Sequence, residues 1–266
     1  MRNLWRWVRP HLAQPGTKDL NLDSEEATVK HWEILQTKKA LRDLYAEIYR
    51  RMVELERLYI TAEGGVRLEI GSGGGFLKDF VPDLVTTDIK RVSFVDCQCS
   101  AYALPFADRS VKTIFCRDVL HHLGDIRRFF REAQRVLLLG GGIIACEPAN
   151  TLLSRFFYKT FHHEPFRPSV EEWGFADTGP FSGSNQALPW IIFRRDRPQF
   201  EREFPHVDIV HSEKHTWLRY FLSGGVTIRQ MAPGFVFKPL RYVETWLQWC
   251  LPWVALSETY VIRRDT

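Results

Sequence analysis

The chain has 266 residues, is 45% hydrophobic and 26% charged, and carries a net charge of +4. These are ordinary values for a globular protein of one sizeable domain with insertions, and mild basicity without a clustered basic face does not mark a nucleic-acid-binding protein. The five cysteines (Cys97, Cys99, Cys116, Cys146 and Cys250) show neither a disulfide framework nor zinc-ligand spacing, so a reducing, cytoplasmic setting without a structural metal is expected.

The first ten residues, Met1 to Pro10, are basic and aromatic. They lack the apolar core of a secretory signal, and no later run approaches the ~18 apolar residues of a membrane span. Two readings suit this start: an arm that packs Trp5 and Trp7 on the domain, or a peripheral membrane contact through them and the neighbouring arginines. Residues 24–60 place Leu41, Leu44, Tyr45, Ile48, Met52, Leu55 and Leu58 at helical spacing, which predicts one long amphipathic helix or two, ending at Glu63-Gly64-Gly65. Strands are predicted at 66–70, 84–87, 92–95, 111–116 and 142–146, with a short helix after the first and a longer one over 125–138. Such alternation implies a parallel sheet with right-handed crossovers. Beyond Pro148 the pattern breaks down. Residues 148–205 are crowded with Phe, Trp, Arg and Pro and have no clean period. Two more strands are expected near 207–211 and 256–263, with a helix over 240–249 between them. Trp246, Trp249 and Trp253 fall on one face of that helix. Core packing is its default reading, against an acceptor tunnel or an interfacial membrane face.

The run Val66 to Phe76 is the most informative. Val66, Leu68 and Ile70 make a short buried strand, Glu69 puts a carboxylate at its carboxyl end, and Gly71-Ser72-Gly73-Gly74-Gly75 forms a turn. In an open α/β sheet that edge is where nucleotide-like ligands bind. A dinucleotide turn needs its third glycine one place later than Gly75, where this chain has Phe76, which argues against a nicotinamide cofactor. Asp88, at the end of the second strand, is placed to accept hydrogen bonds from both ribose hydroxyls.

Together these residues resemble the class I S-adenosylmethionine (SAM)-dependent methyltransferases, in particular the small-molecule type that includes the ubiquinone- and menaquinone-biosynthesis enzymes. The resemblance covers about residues 64–148. It rests on Glu69 to Gly75, on Asp88, on Ser100-Ala101-Tyr102-Ala103-Leu104-Pro105-Phe106, on Val119-Leu120-His121-His122-Leu123, and on Arg135-Val136-Leu137 to Gly142. It implies a Rossmann-like α/β fold: seven strands, mostly parallel, with an N-terminal helical extension and a cap from insertions after strands 5 and 6. In residue ranges this means an arm and helices over 1–63, then a SAM-binding domain over 64–266 with insertions near 148–205 and 213–254. SAM is the implied cofactor and S-adenosylhomocysteine the product. The implied binding residues are Glu69, Gly71, Ser72, Gly73, Gly75, Asp88, Ile89, Ser100, Ala101 and Arg117. Where the chain has Ser100 the family usually has Asp, which gives the adenine a neutral partner. Leu139-Gly140-Gly141-Gly142 replaces a turn that often contains proline.

Methyl transfer from a sulfonium mostly needs alignment, and a base is needed only where the acceptor loses a proton. His121 and His122, which follow the fourth strand, are the first candidates, since imidazole titrates near neutral pH. His163 in His162-His163-Glu164 is a further one. That trio could suggest a metal, but adjacent residues do not easily converge on one ion and no metal is expected. The expected acceptor is a small molecule or a lipid- or sugar-linked group, with O-methylation favoured over C- or N-methylation. The alternatives are a C-methyltransferase acting on a quinone-like ring and a catalytically idle SAM-binding scaffold.

Overall fold

A computed structural model describes residues 12–17, 20–162, 164–175, 179, 183–215 and 218–265. His163 and the arm with Trp5 and Trp7 lie outside these. Two helices open the described chain, α1 (Glu25–Thr37) and α2 (Lys39–Tyr59). The Ser24 side chain caps α1 by accepting from the Ala27 N–H, a bond that satisfies one of the orphan donors of the first turn. The strands are β1 (Val66–Ile70), β2 (Leu84–Asp88), β3 (Cys97–Gln98), β4 (Val111–Arg117), β5 (Leu137–Pro148), β6 (Val207–His215) and β7 (Ser257–Arg264). They form one sheet in the order β3-β2-β1-β4-β5-β7-β6. β7 pairs antiparallel with both β5 and β6, whereas the other pairs are parallel.

The period-two alternation of the strands sends side chains to two cores, one on each face. Leu68, Ile70, Ile114, Ile143, Ala145, Tyr260 and Ile262 face the first, against Phe129, Phe130, Ala133 and Val136 of α3 (Ile126–Val136). Phe115, Ile144, Cys146 and Val261 face the second, against Leu41, Leu44, Ile48, Met52 and Leu55 of α2. The N-terminal helices thus form one outer layer of a three-layer sandwich. A polar latch fixes α2 to the sheet: buried Glu56 accepts from Arg67 Nε at 2.8 Å and from Thr113 Oγ1 at 2.7 Å.

Three expectations need correction. Val92–Val95 is a turn, closed by Val95 N–H to Val92 O. The edge strand β3 forms only at Cys97–Gln98, because the Asp96 carboxylate first occupies the Thr86 N–H at 2.9 Å. β5 begins at Leu137, so α3 is shorter than predicted and the strand runs through Gly140 to Gly142. The excursion after β5 holds α4 (Leu152–Phe161), a helical stretch over 188–195 that loosens into a wider turn, and α5 (Arg197–Glu203). Residues 188–193 are buried but for Trp190, and a helix buried nearly all round has no amphipathic period to read.

The second excursion holds α6 (Leu218–Ser223) and α7 (Phe237–Cys250). It is tied to the N-terminal layer. Lys38 Nζ donates to Gly225 O at 2.8 Å and Ile228 O at 2.6 Å, and Arg219 bonds Glu47 of α2 as well as Glu244 of α7. Trp246, Trp249 and Trp253 face outward on this excursion, which overturns the core-packing reading for them.

Candidate functional site

β1 ends at Ile70 beside a cleft lined by Glu69, Gly71 to Gly75, Arg117, His121, His122 and residues of both excursions. Gly71 takes φ +61° and Gly73 φ +46°, a region closed to most residues with a Cβ. A Cβ on Gly71 would also meet Val119 Cγ2 at 2.6 Å. Gly74 and Gly75 serve closeness instead. A Cβ on Gly74 would lie 2.7 Å from the backbone nitrogen of Trp32 in α1, and one on Gly75 2.8 Å from the Tyr49 hydroxyl of α2. The early third glycine therefore lets helix α2 lean on the turn.

Glu69 is buried, and desolvation pushes its carboxyl up to about 8 against the partial opposition of Ser72 and Arg117. Arg117 ends β4 with its guanidinium 3.5 Å over the Tyr45 ring and 3.1 Å from Asp118. Its Nε is buried with no hydrogen-bond partner among the described residues. Asp118 has φ +56°, and a left-handed non-glycine residue is backbone strain of the sort that collects at functional sites.

Of the expected cofactor residues, Glu69, Gly71, Ser72, Gly73, Gly75 and Arg117 line this cleft; Asp88, Ile89, Ser100 and Ala101 do not. Asp88 lies behind the turn, its Oδ2 accepting from Gly73 N–H at 3.0 Å and its Oδ1 from Lys90 N–H at 2.8 Å. Burial raises its carboxyl. Ile89 is half exposed, Ser100 bridges to Ala103, and Ala101 packs on the first core. Lys90 Nζ donates to Leu22 O at 2.7 Å, holding the start of the chain over this flank. Leu22, Thr28, His31 and Leu35 consequently line the cleft. The amphipathic period of 24–60 gave no sign of that role, because it is a long-range contact.

Opposite the glycine turn stands a buried cluster of imidazoles and carboxylates. His121 has Nδ1 2.7 Å from Glu147 Oε2 and Nε2 3.3 Å from Glu164 Oε2. Burial disfavours its charge, but the two carboxylates prevail and push it up to about 10, so it stands as an imidazolium that donates from both nitrogens. Glu147 also accepts from the N–H groups of Val119 and Leu120 at 2.9 and 2.8 Å, shaping the loop that carries both histidines. His122 behaves oppositely. Burial and the neighbouring His121 charge lower it to about 4, and its Nδ1 lies 3.4 Å from the Gly183 carbonyl. Its Nε2 lies 3.6 Å from Glu164 Oε1, so each ring nitrogen faces an oxygen and the neutral ring, with one N–H, can donate to only one of them. Glu164 also accepts from Gln186 Nε2 at 2.9 Å, and its carboxyl is held well below the usual range, its own burial being outweighed by His121, His162 and His122.

Sequence reading drew attention to Glu164 only as part of the trio at 162–164, and missed Glu147. The signal was present: Glu147 sits near the carboxyl end of β5 as Glu69 does on β1. Among the described residues, His121, His122 and Glu164 have the spacing to hold a metal ion, with ligand atoms within 4.8 Å of one another. The aromatic wall beyond them is formed by Phe157, Tyr158, Phe161, Tyr220 and Phe221.

Residues 68–145 match the family described as a methyltransferase domain. No curated protein matches the chain. Among solved structures, the chain is similar to a SAM-dependent methyltransferase from Thermotoga maritima, with 14% identity over 88% of this chain and 100% of that one and a TM-score of 0.48. It is also similar to a SAM-dependent methyltransferase from Archaeoglobus fulgidus, with 14% identity, 84% and 99% coverage and a TM-score of 0.45. A third is the YcgJ protein from Bacillus subtilis, with 16% identity, 82% and 100% coverage and a TM-score of 0.45.

Proposed function

We propose that this chain, a class I SAM-dependent methyltransferase, places the methyl group on a hydroxyl of a small or lipid-linked acceptor. The residues fit the donor. The turn at Gly71 and Gly73 forms a cradle that side chains would fill, and Arg117 Nε is a buried donor with no partner among the described residues. In this reading Arg117 meets the donor's carboxylate and Glu69 its ammonium. Asp88 shapes the turn through Gly73 and keeps a further lone pair on each oxygen for the ribose. SAM supplies a methyl group already activated on a sulfonium.

The observation that carries the choice of hydroxyl is the neutral His122 in the same cleft. An oxygen being alkylated becomes a far stronger acid than imidazolium, so an imidazole of low basicity suffices to take its proton. The low value also keeps that imidazole neutral over the whole physiological range. Glu164 Oε1, 3.6 Å away, then stabilises the imidazolium that forms, as an orienting carboxylate does in other acid–base pairs. His121 is already protonated and acts as a fixed positive centre that holds Glu164 in place.

The test pairs calorimetry with turnover. S-adenosylhomocysteine should bind the wild type and bind Asp88→Ala poorly. Methyl transfer should be sought on a panel of hydroxyl, acidic-carbon and amine acceptors, with His122→Ala as the comparison. Turnover confined to carbon acceptors would replace O-methylation by C-methylation. Tight binding with no turnover on any acceptor would make the protein a binding scaffold.

A further inference from the structure

Helix α7 buries Phe237 but turns its other three aromatic residues outward. Its acidic residue, Glu244, is 1% exposed and bonds Arg219, whereas Trp249 is 84% exposed and Tyr242, Val243 and Trp246 also face outward. Trp253, just beyond the helix, and Phe235, just before it and 80% exposed, extend the same apolar surface. A helix that only covers a core places its large apolar residues inward, and a contiguous exposed apolar patch marks an interaction site.

We propose that this face docks on an anionic lipid bilayer. Charge selects that occupant. Between Arg229 and Leu256 the sole carboxylate is the buried Glu244, while Arg229 and Lys238 are exposed cations and the exposed Arg241 is paired with Glu47 of α2 at 3.6 Å. A surface whose own segment exposes cations and no carboxylate suits anionic headgroups. It suits a second copy of the chain across a twofold axis less well, since two such patches would meet with cations on both sides and no exposed carboxylate from this segment to pair them. Side-chain type agrees, since tryptophan and tyrosine favour the boundary between headgroups and hydrocarbon. The docking is peripheral, because no helix of the described residues is long and apolar enough to cross a membrane. α7 packs on α6, whose Tyr220 and Phe221 line the cleft, so a docked protein would hold that cleft wall one helix away from the lipid. The inference rests on the surface and not on the choice of acceptor.

The experiment is cosedimentation of the full chain with phosphatidylcholine vesicles, with and without phosphatidylserine. Binding should be strong only with phosphatidylserine present. Trp246→Ser combined with Trp249→Ser should weaken it by more than about tenfold, and Lys238→Glu should reduce the preference for anionic vesicles by about tenfold. Both variants should retain the wild-type melting temperature and S-adenosylhomocysteine affinity, since the altered side chains face solvent. No cosedimentation with either vesicle overturns the proposal, as does binding unchanged in the tryptophan variant. A wild-type dimer seen by light scattering, dissolved by the tryptophan substitutions and indifferent to vesicles, overturns it in favour of self-association.

Discussion

If Glu69 holds the donor's ammonium, as proposed, donor binding is a pH-dependent event whose size can be worked from the surroundings of that carboxyl. Burial pushes its carboxyl up to about 8, so near pH 7 the empty site holds it mostly protonated. A ligand ammonium needs the carboxylate, so binding must expel that proton. At pH 7 the release is about nine-tenths of a proton. At pH 6, two units below the group's value, only about one site in a hundred is ionised beforehand, a cost of about 2.7 kcal/mol or about a hundredfold in affinity. Affinity for S-adenosylhomocysteine should therefore rise about tenfold per pH unit from 6 towards 8 and then level off. Titration calorimetry in two buffers of different ionisation enthalpy counts the protons directly. Glu69→Gln should bind more weakly and lose the pH slope. An affinity flat between pH 6 and 8, with no proton release, would refute both the assignment of Glu69 and the reasoning from its burial.

Other outcomes follow from the imidazole cluster and the turn. His122→Ala should lower turnover by about a hundredfold to ten-thousandfold while leaving donor affinity intact; wild-type turnover at saturating donor should hold through mild acid and fall as pH drops through about 4. Glu147→Ala removes the acceptor shared by Val119, Leu120 and His121, and should cost about 3–5 kcal/mol in denaturant unfolding. Because His121 is raised from 6.5 to about 10, its stabilising contribution is complete below about 6.5 and is lost as pH climbs through about 10; that alkaline loss should shrink in Glu147→Ala. Gly75→Ala would set a methyl 2.8 Å from the Tyr49 hydroxyl and 2.9 Å from Ser72 O, and should destabilise by about 1–3 kcal/mol. Chelator treatment should leave turnover unchanged; loss restored by zinc would instead make His121, His122 and Glu164 a metal centre.

The sheet was readable because its strands alternate between two cores. Leu68 and Ile70 against Glu69, and Ile143 and Ala145 against Ile144, are patterns that survive in the bare sequence. β3 was misplaced because a side chain decides it: Asp96 caps Thr86 before pairing begins. The glycine half of the cleft was legible since one contiguous run forms it. The imidazole half was only partly so. Glu147 and Glu164 reach His121 from 26 and 43 positions along the chain, taking the residue numbers by difference, and only the folded topology brings them together. The outward tryptophans were misjudged for a related reason. Their helix turns Glu244 inward because Arg219 waits there, and a hydrophobic pattern does not disclose a buried ion pair.

Lys38 carries a consequence beyond holding two carbonyls. Burial lowers its ammonium to about 8, so in mild alkali half of these amines are uncharged nucleophiles, while ordinary lysines remain protonated. An acylating reagent used sparingly should mark this amine ahead of the ordinary solvated lysines. Its position at the seam between the N-terminal layer and the second excursion makes it a chemical gauge of that seam, with reactivity that rises whenever Gly225 and Ile228 draw away.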